Sequence, residues 1–458
     1  MSSLNATLAT ALSGLIADQG ALEATSNNVA NANTPGYSRE VPVLVASDPV
    51  VDDPLTLGTG VTLQSIQSIT DPILESQIQQ ETQSQGQLSS LVSALSQTQV
   101  NFTSSTGDIG TAITNFFNSV NQLSTSPADL SLRQGVLTAA DNLATAFNTT
   151  ANNLTAQTTS LNQSVVQTVG QINQLTSQIA QLNGQIASLE NVGESAGTFI
   201  DQRTQAIDQL SSLVDVSVIQ SNNTLTLTTA SGTALVAGQQ SFQLTTQPVA
   251  SGAQDIFAQG NDITSTIVSG QLGGVLQARD QQIPSIQNQL DTLAAGLANA
   301  VNGVQTAGYD LNGNLGTDLF NPPPANVTGA AASLSVAITD PSLIAASSDG
   351  TSGSNGNADA MYALNSQPII DGQNPTDYYS GTVFNIGNAV SNATAEQNAS
   401  SLVLQQLNDQ NSAVSGVSLD EEAANMIQYQ QAYAASAQVI TSINDMLYDV
   451  VNMNTLTT

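Results

Sequence analysis

Residues 3–32, SLNATLATALSGLIADQGALEATSNNVANA, decide the fold that this sequence predicts for the ends of the chain. Apolar side chains recur there every seven residues, at Leu8, Leu15, Leu22 and Val29. A seven-residue repeat places one narrow apolar stripe along a helix, which is the pattern of a coiled-coil seam. We therefore expect a helix that packs against another helix.

The other end of the chain repeats this pattern. Its two heptad positions hold Met426, Tyr433, Ile440 and Leu447, and Tyr429, Ser436, Ile443 and Val450. The two stripes could pack against each other within one molecule. A bare helix pair buries little surface, however, and ordering the backbone costs about 1–2 kcal/mol per residue. We therefore expect the chain to assemble with neighbours through both of its ends.

The composition excludes several classes of partner. Charged residues make up 9% of the 458 residues, and 35 acids face four arginines, which gives a net charge of −31. Such a charge repels phosphate backbones and anionic membrane surfaces, so neither nucleic acid nor a membrane is an expected partner. The sequence also holds no run of 18 apolar residues that would span a membrane.

Histidine, cysteine and lysine are absent, which argues against catalysis. No imidazole base, thiolate nucleophile or Schiff-base amine is available, and zinc sites of the usual Cys/His kind are excluded. We predict no enzymatic activity, no metal and no cofactor. The alternative from another class is a carboxylate-based hydrolase of cell-wall glycan.

Composition and the lack of a cleavable signal peptide, taken alone, indicate the cytoplasm.

The pattern along the chain predicts a mainly α fold with a β insertion. We expect terminal coiled-coil helices, an elongated helical body and a smaller β-rich outer domain. The inner helices would be Ser3–Ala32 and Leu419–Met453. The predicted parts are inner helices at 1–36 and 416–458, a helical body at 37–213, 269–309 and 357–415, and a β-rich outer domain at 214–268 and 310–356.

Three short motifs have structural interpretations that we favour over chemical ones. Ser418 to Glu422 is typical of a capping box with acids in the first helical turn, rather than an acidic site. Asp310 to Asn314 is typical of a polar turn, because the glycine and glutamate of a calcium loop are missing. Gly270 to Gly274 lacks the lysine of a phosphate loop. For the arginines we favour internal ion pairs over contacts between subunits.

The turn after the first helix, Ala30-Asn-Ala-Asn-Thr-Pro-Gly-Tyr37, resembles a signature shared by the rod, hook and hook-associated proteins of bacterial flagella. Further segments resemble the hook-associated protein 1 family, which forms the first junction between hook and filament. They begin at Asp129 (DLSLRQ), Phe199 (FIDQR, followed by LVDV), Gly270 (GQLGGVLQARD) and Ser415 (SGVSLDEEAANMIQYQQAY). Together the matching segments run through the whole chain.

This resemblance implies a structural role outside the cell. Members of that family form a helical layer, with their terminal helices inside and a β-rich domain outside. The implied partners are copies of the same chain, the hook protein, a second junction protein on the filament side, and a cytoplasmic export chaperone that holds the C-terminal helix. Export through the flagellar type III channel would replace the cytoplasmic localisation. The nearest alternative is another axial protein, a hook subunit or flagellin.

The resemblance also gives the terminal residues roles in assembly. Asn31, Pro35, Gly36 and Tyr37 would determine where the chain leaves the inner helix. The heptad residues would contact neighbouring subunits and, before export, the chaperone; they are Leu8, Leu15, Leu22, Val29, Met426, Tyr429, Tyr433, Ile440, Ile443 and Leu447.

Overall fold

Helices form most of the chain, as the periodicity predicts. The structure is a computed structural model, and it describes residues 2–52, 55–103, 108–192, 194–221, 224–250 and 252–453. The last five residues of the predicted inner segment 416–458 lie outside these ranges. The helices are α1 (Ser2–Asn31), α2 (Pro72–Thr103), α3 (Ile109–Thr125), α4 (Leu130–Val192), α5 (Gly197–Leu213), α6 (Gly270–Gln277), α7 (Ile283–Ala307), α8 (Ala330–Ser333), α9 (Gly356–Ala363), α10 (Pro375–Ser415) and α11 (Leu419–Met453).

The strands are short and pair in small antiparallel sheets. Strands β1 and β4 pair from Glu40↔Ser68 to Ala46↔Val61, β2 pairs with β3, β5 to β8 form one sheet, and β9 to β11 form another. Their bounds are β1 (Glu40–Ala46), β2 (Val50–Asp52), β3 (Leu55–Leu57), β4 (Val61–Ser68), β5 (Ser217–Ser221), β6 (Thr224–Thr228), β7 (Ala234–Ala237), β8 (Gln240–Ser241), β9 (Leu244–Pro248), β10 (Gln254–Ala258) and β11 (Asn261–Asp262). The mainly α class with a β insertion is therefore confirmed.

The chain divides into two compact units. The first comprises Met1–Ser84, Gln171–Leu244 and Ser400–Thr458, and it contains both terminal helices. The second comprises Gln85–Gly170 and Thr245–Ala399. Among the described residues, every helix is too short or too polar to span a membrane.

The second unit is built around a large apolar core. Phe116 and Phe117 are fully buried, with ring centroids 5.2 Å apart in an edge-to-face arrangement, and Phe320 lies 6.0 Å from Phe116. Helices α3, α4 and α7 supply most of this core. Gly274 permits α6 to approach α2, because a Cβ atom there would lie 2.1 Å from the Gln87 carbonyl oxygen. This packing gives the Gly270–Gly274 motif a structural role.

Residues 310–356 differ from the predicted β-rich outer segment. They carry α8, one 3₁₀ turn and isolated bridges, and their apolar side chains belong to the core of the second unit. Side chains of α7 replace the missing strand partners. Asn302 donates to the Phe320 carbonyl at 2.8 Å and accepts from its N–H at 2.9 Å, and Gln305 bonds the backbone of Leu343 and Ala345 in the same way. The alternating apolar residues therefore pack on helices.

The turn at Asp310 is confirmed as a polar turn. The Asp310 carboxylate accepts the backbone N–H groups of Asn312 and Asn314, both at 2.8 Å, and Gly313 has a φ of +78°. A carboxylate that satisfies its own loop in this way is an Asx-type turn. No group of acidic side chains within the described ranges is arranged to hold a metal ion.

A buried acid in the first unit gives the stability of this fold a defined pH dependence. Asp215 is fully buried, and its Oδ2 accepts the Ala230 N–H at 3.1 Å. Its Oδ1 and the hydroxyl of buried Ser211 have no hydrogen-bond partner. Burial raises the pKa of Asp215 to about 6. The folded chain therefore keeps this proton to a higher pH than the unfolded chain does.

We expect the Asp215→Asn variant to lose this contribution to the pH dependence. In the wild type, the penalty for the buried charge is absent below about pH 4 and complete above about pH 6, so this group lowers the free energy of unfolding by up to about 3 kcal/mol as pH rises between them. The variant should gain stability relative to the wild type across that range, as measured by urea unfolding from pH 4 to pH 8. Exposed Asp141, changed to Asn, is the control; parallel profiles for D215N and the wild type would contradict the assignment.

Candidate functional site

The terminal helices α1 and α11 pack along each other within one molecule. Small residues form the buried face of α1: Ala17, Ala21 and Ala24 are no more than 1% exposed. Gly14 lies so close to α11 that a Cβ atom there would be 3.4 Å from the Ser436 hydroxyl oxygen. Small side chains at a helix contact allow the two backbones to approach closely. Gly14 therefore allows α11 to approach α1 closely, and the β1–β4 hairpin also packs on α1, where a Cβ atom at Gly20 would lie 2.4 Å from Leu63 Cδ2.

The contacting face of α11 carries several of the predicted heptad residues. Ile443 is buried at 2% exposure, whereas Met426, Tyr429, Ile440 and Leu447 are half-buried. Tyr433 is more exposed, at 38%. The second heptad position thus lies nearer the centre of the intramolecular contact than the first.

The predicted leucine stripe of α1 is partly covered within the molecule. Leu8, Leu15 and Leu22 are only half-buried, and Val29 is 38% exposed. At about 100° per residue, this stripe lies well away from Ala17, Ala21 and Ala24, and Gly14, which faces Ser436 of α11, lies between the two sets. Ala17, Ala21 and Ala24, spaced by four and three residues, are the sequence signal for the most buried face of α1. A contact of the leucine stripe with a neighbouring molecule stays a prediction.

The turn from Asn31 to Tyr37 ends α1 with two successive hydrogen-bonded turns. The Thr34 N–H donates to the Asn31 carbonyl at 2.8 Å, and the Tyr37 N–H donates to the Thr34 carbonyl at 3.2 Å. Gly36 adopts a φ of +77°, a conformation that favours glycine. Pro35 and Gly36 are exposed, and Asn31 is half-buried. This turn redirects the chain from α1 into β1.

Asn28 joins the elements around this turn, although sequence reasoning did not single it out. Its side chain is 1% exposed. Its Oδ1 accepts the Tyr37 hydroxyl at 2.9 Å and the Glu40 N–H at 2.8 Å. Its Nδ2 donates to the Glu40 carbonyl at 2.8 Å and to Glu422 Oε2 at 3.2 Å. Both oxygen lone pairs and both N–H donors are thus used.

Arg39 holds the start of α11 against the same turn. Its Nε lies 2.7 Å from Glu422 Oε1, and its Nη2 lies 2.7 Å from Glu421 Oε1. Its backbone N–H donates to the Ser415 carbonyl at 2.8 Å. The acids of the predicted capping box therefore direct their carboxylates to an arginine some 380 residues earlier. This contact confirms the prediction that Arg39 forms an ion pair within its own molecule. Local sequence spacing did not identify its partners.

The contacts among Asn28, Tyr37, Arg39, Glu421 and Glu422 form what we call the terminal joint. Further carboxylates surround this joint. Burial raises the pKa of Asp201, whose carboxylate accepts the Ser38 N–H at 3.0 Å. Burial, together with the charge of Asp201, raises the pKa of Glu40, and burial with nearby acids raises the pKa of Tyr37. An adjoining cleft of about 740 Å³ is lined by the turn, by residues 411–418 and by Asp208, whose pKa burial raises to about 7. The site is a polar joint between helices and lacks a paired nucleophile and base.

Comparisons with known proteins match both this joint and the rest of the chain. Family models for the flagella basal body rod protein and for the C-terminal part of the flagellar basal body rod FlgEFG proteins match residues 8–37 and 410–453. The model of the flagellar hook-associated protein FlgK helical domain matches residues 95–320. Flagellar hook-associated protein 1 of Bacillus subtilis (strain 168) is 31% identical over 97% of this chain and 97% of its own length.

The chain belongs to the flagellar hook-associated protein 1 family. The relative from Escherichia coli (strain K12) is 28% identical over 97% of this chain and 98% of its own length. The flagellar hook junction protein FlgK of Burkholderia pseudomallei has a similar fold, with a TM-score of 0.68 at 21% identity, over 74% of this chain and all of that one. Membership of the family, which the turn and the internal segments predicted, is confirmed. The chain is therefore a structural component of the flagellum.

The two terminal family models coincide with the joint. Asn28 and Tyr37 lie within residues 8–37, and Glu421 and Glu422 lie within residues 410–453. In this chain, the signature turn thus acts inside the molecule, where it orients α1 and α11 relative to β1.

We expect Glu422→Gln to weaken the pairing of α1 with α11. Glu422 is 1% exposed, and the substitution removes the negative charge to which the Arg39 guanidinium and the Asn28 amide donate hydrogen bonds. The free energy of unfolding should fall by about 2 kcal/mol, and the amides of α1 should exchange faster with deuterium. The matched control is Glu421→Gln, since Glu421 is 55% exposed and its ion pair should contribute less than about 0.5 kcal/mol. Equal effects at both positions would show that burial does not decide the strength of this joint.

Proposed function

We propose that this protein is a structural adaptor at the junction of hook and filament. Copies of the chain would form a helical layer that contacts the hook protein on one side and a second junction protein on the other. The observation that carries the proposal is that α1 and α11 pair with each other and still leave apolar side chains uncovered.

Those uncovered side chains are large. Leu12 and Ile16 of α1 are 50% and 55% exposed, and Ile427, Met446 and Tyr448 of α11 are 57%, 49% and 69% exposed. Single exposed apolar residues are ordinary on a protein surface, but a set of them along two paired helices favours contact with further helices. The leucine stripe that the heptads predict borders this surface on α1.

The proposed role requires no catalysis. It also places the protein outside the cell, after export without a cleaved signal, and it assigns the C-terminal helix to a chaperone before export. A chain without cysteine cannot form disulfide cross-links during such a passage. An exposed apolar helix would need a partner in the cytoplasm, which supports the proposed chaperone contact.

Deleting residues 419–458 in the organism that encodes this protein should abolish filaments. We expect cells that still make hooks and release unassembled flagellin into the medium, because α11 and its contacts are removed. Electron microscopy of the cells and immunoblots of the medium measure both effects. Normal filaments on the deletion strain would refute the proposed function.

The Leu12→Gln/Ile16→Gln double variant tests the uncovered face without removing a helix. Both side chains are exposed, so the urea-unfolding midpoint should change little, whereas filament number per cell should fall strongly. Val268→Gln/Leu315→Gln is the matched control, because Val268 and Leu315 are 59% and 63% exposed and lie in the other unit. Wild-type filament numbers in the α1 variant would exclude this face from assembly.

A further inference from the structure

Four carboxyl groups of the first unit lie on α5 and on elements beside it. They are Glu40 of β1, Glu75 of α2, and Asp201 and Asp208 of α5, and we call them the acid cluster. Glu40 is 8% exposed, and the other three are half-buried. Burial is the main cause that raises the pKa of each of them. Each acid of the cluster therefore holds its proton more strongly in the folded chain than in the unfolded chain.

Two acids of the cluster connect α5 to its neighbours. Asp201 Oδ2 accepts the N–H of Ser38, at 3.0 Å, from the segment that leads from α1 to β1. Asp208 lies two turns further along α5, where the side chain of buried Gln79 on α2 hydrogen-bonds its carboxyl group. Glu75, one turn before Gln79, lies close enough for its charge to raise the pKa of Asp208 further. Carboxyl groups thus make polar contacts of α5 with the turn and with α2.

Arg203, the arginine of α5, does not neutralise the acid cluster. Its Nε has no hydrogen-bond partner, and its Nη1 donates to the uncharged Asn183 Oδ1 at 3.1 Å. Burial lowers the pKa of Arg203, although the charges of Glu190 and Glu75 oppose this effect. Within the described ranges, no guanidinium forms an ion pair with an acid of the cluster. The cluster therefore depends on its protons to limit the repulsion between its carboxylates.

The cleft beside α5 supplies no compensating charge for Asp208. Asp208 and Glu75 line this cleft of about 740 Å³ together with the turn, the end of α10 and the start of α11. The titratable and charged groups that those three elements present there are Tyr37, Arg39 and Glu421. Arg39 is already paired with Glu421 and with the acid that follows it. An ionised Asp208 therefore adds a second negative charge beside Glu75.

We propose that the acid cluster is a pH-sensitive switch: protonated Asp208 holds α5 against α2 and the turn, and loss of its proton loosens α5. A neutral carboxyl group is buried at much lower cost than a carboxylate, and it adds no repulsion beside Glu75. Because Asp201 of the same helix accepts the Ser38 N–H, loosening α5 also removes a bond that supports the terminal joint. The switch is a property of the first unit and does not rest on the proposed function.

The direction of the pH effect follows from the proton of Asp208. The folded chain keeps this proton up to about pH 7, whereas the unfolded chain releases it at about pH 4. The stability that the proton supplies is complete below about pH 4 and is lost as pH rises to about 7. An opening of α5 that exposes Asp208 should therefore become roughly 100-fold more frequent between pH 5 and pH 8. Asp215, which lies beyond the end of α5 and outside the cleft, adds a smaller effect, since burial raises its pKa only to about 6.

Hydrogen–deuterium exchange of the full-length protein at pH 5 and pH 8, with each rate divided by the intrinsic rate at that pH, tests the switch. In the wild type, the protection of α5 amides should fall roughly 100-fold or more, whereas that of α7, in the core of the second unit, should change much less. The Asp208→Asn variant should lose most of this fall. Asp215→Asn is the matched control, because it removes a buried acid of the same unit outside the cleft and should keep a fall of roughly 100-fold.

Glu75→Gln keeps the test decisive if Asp208→Asn does not fold. It removes the charge that faces Asp208, so the fall in α5 protection should be smaller and end at a lower pH than in the wild type.

Equal protection of wild-type α5 at both pH values, or an Asp208→Asn variant that responds as the wild type does, would overturn the inference. An equal fall in α5 and α7 would also overturn it, because the whole molecule would then open together. The deletion of residues 419–458 tests the proposed function separately, and its result bears on none of these outcomes.

Discussion

The side-chain amide of Asn28 makes four hydrogen bonds, and the geometry of the terminal joint depends on them. Two of these bonds join α1 to the backbone of Glu40 at the start of β1, one holds the hydroxyl of Tyr37, and one reaches Glu422 at the start of α11. A buried amide with every donor and acceptor used permits little change in orientation. One uncharged side chain therefore bonds the turn, the first strand and the last helix to α1, and the ion pair of Arg39 with Glu422 adds to this connection.

Amide side chains bond the backbone at several other places in this chain, which has few charged residues. Asn302 and Gln305 bond the backbone of Phe320, Leu343 and Ala345 as a neighbouring strand would, and Asn173 and Asn183 bond the backbone of Leu244 and Gly238. An amide side chain offers the donor and acceptor of a peptide group without the desolvation cost of an ion. A composition with 9% charged residues thus builds its internal polar contacts from asparagine and glutamine.

Periodicity predicted the helices well, because apolar spacing is a local property of the sequence. It identified the helical pattern of α1, α7 and α11 and the break near Gly416, and the turn at Tyr37 pointed to the family. It did not single out the buried alanines of α1, since alanine weighs less than leucine in any apolar pattern. Periodicity could not predict the bonds from Asn28 and Arg39 to Glu422, because these residues are far apart in the sequence and only the completed fold brings them together. Strands were also expected in 310–356, where side chains from α7 satisfy the backbone instead.

The two faces of α1 meet two different requirements. One face packs closely within the molecule, and the other keeps large apolar side chains exposed. Burying alanine allows neighbouring elements to approach α1 closely, but an alanine side chain contributes only about 0.8 kcal/mol of hydrophobic stabilisation. The apolar contact alone would leave the pair weakly held and free to slide. The ion pair between Arg39 and Glu422 and the bonds of Asn28 supply the missing register at one end of the pair. Because these polar contacts define the register, the large side chains of α1 can remain on the outer face, where neighbouring molecules would supply the burial that α11 does not.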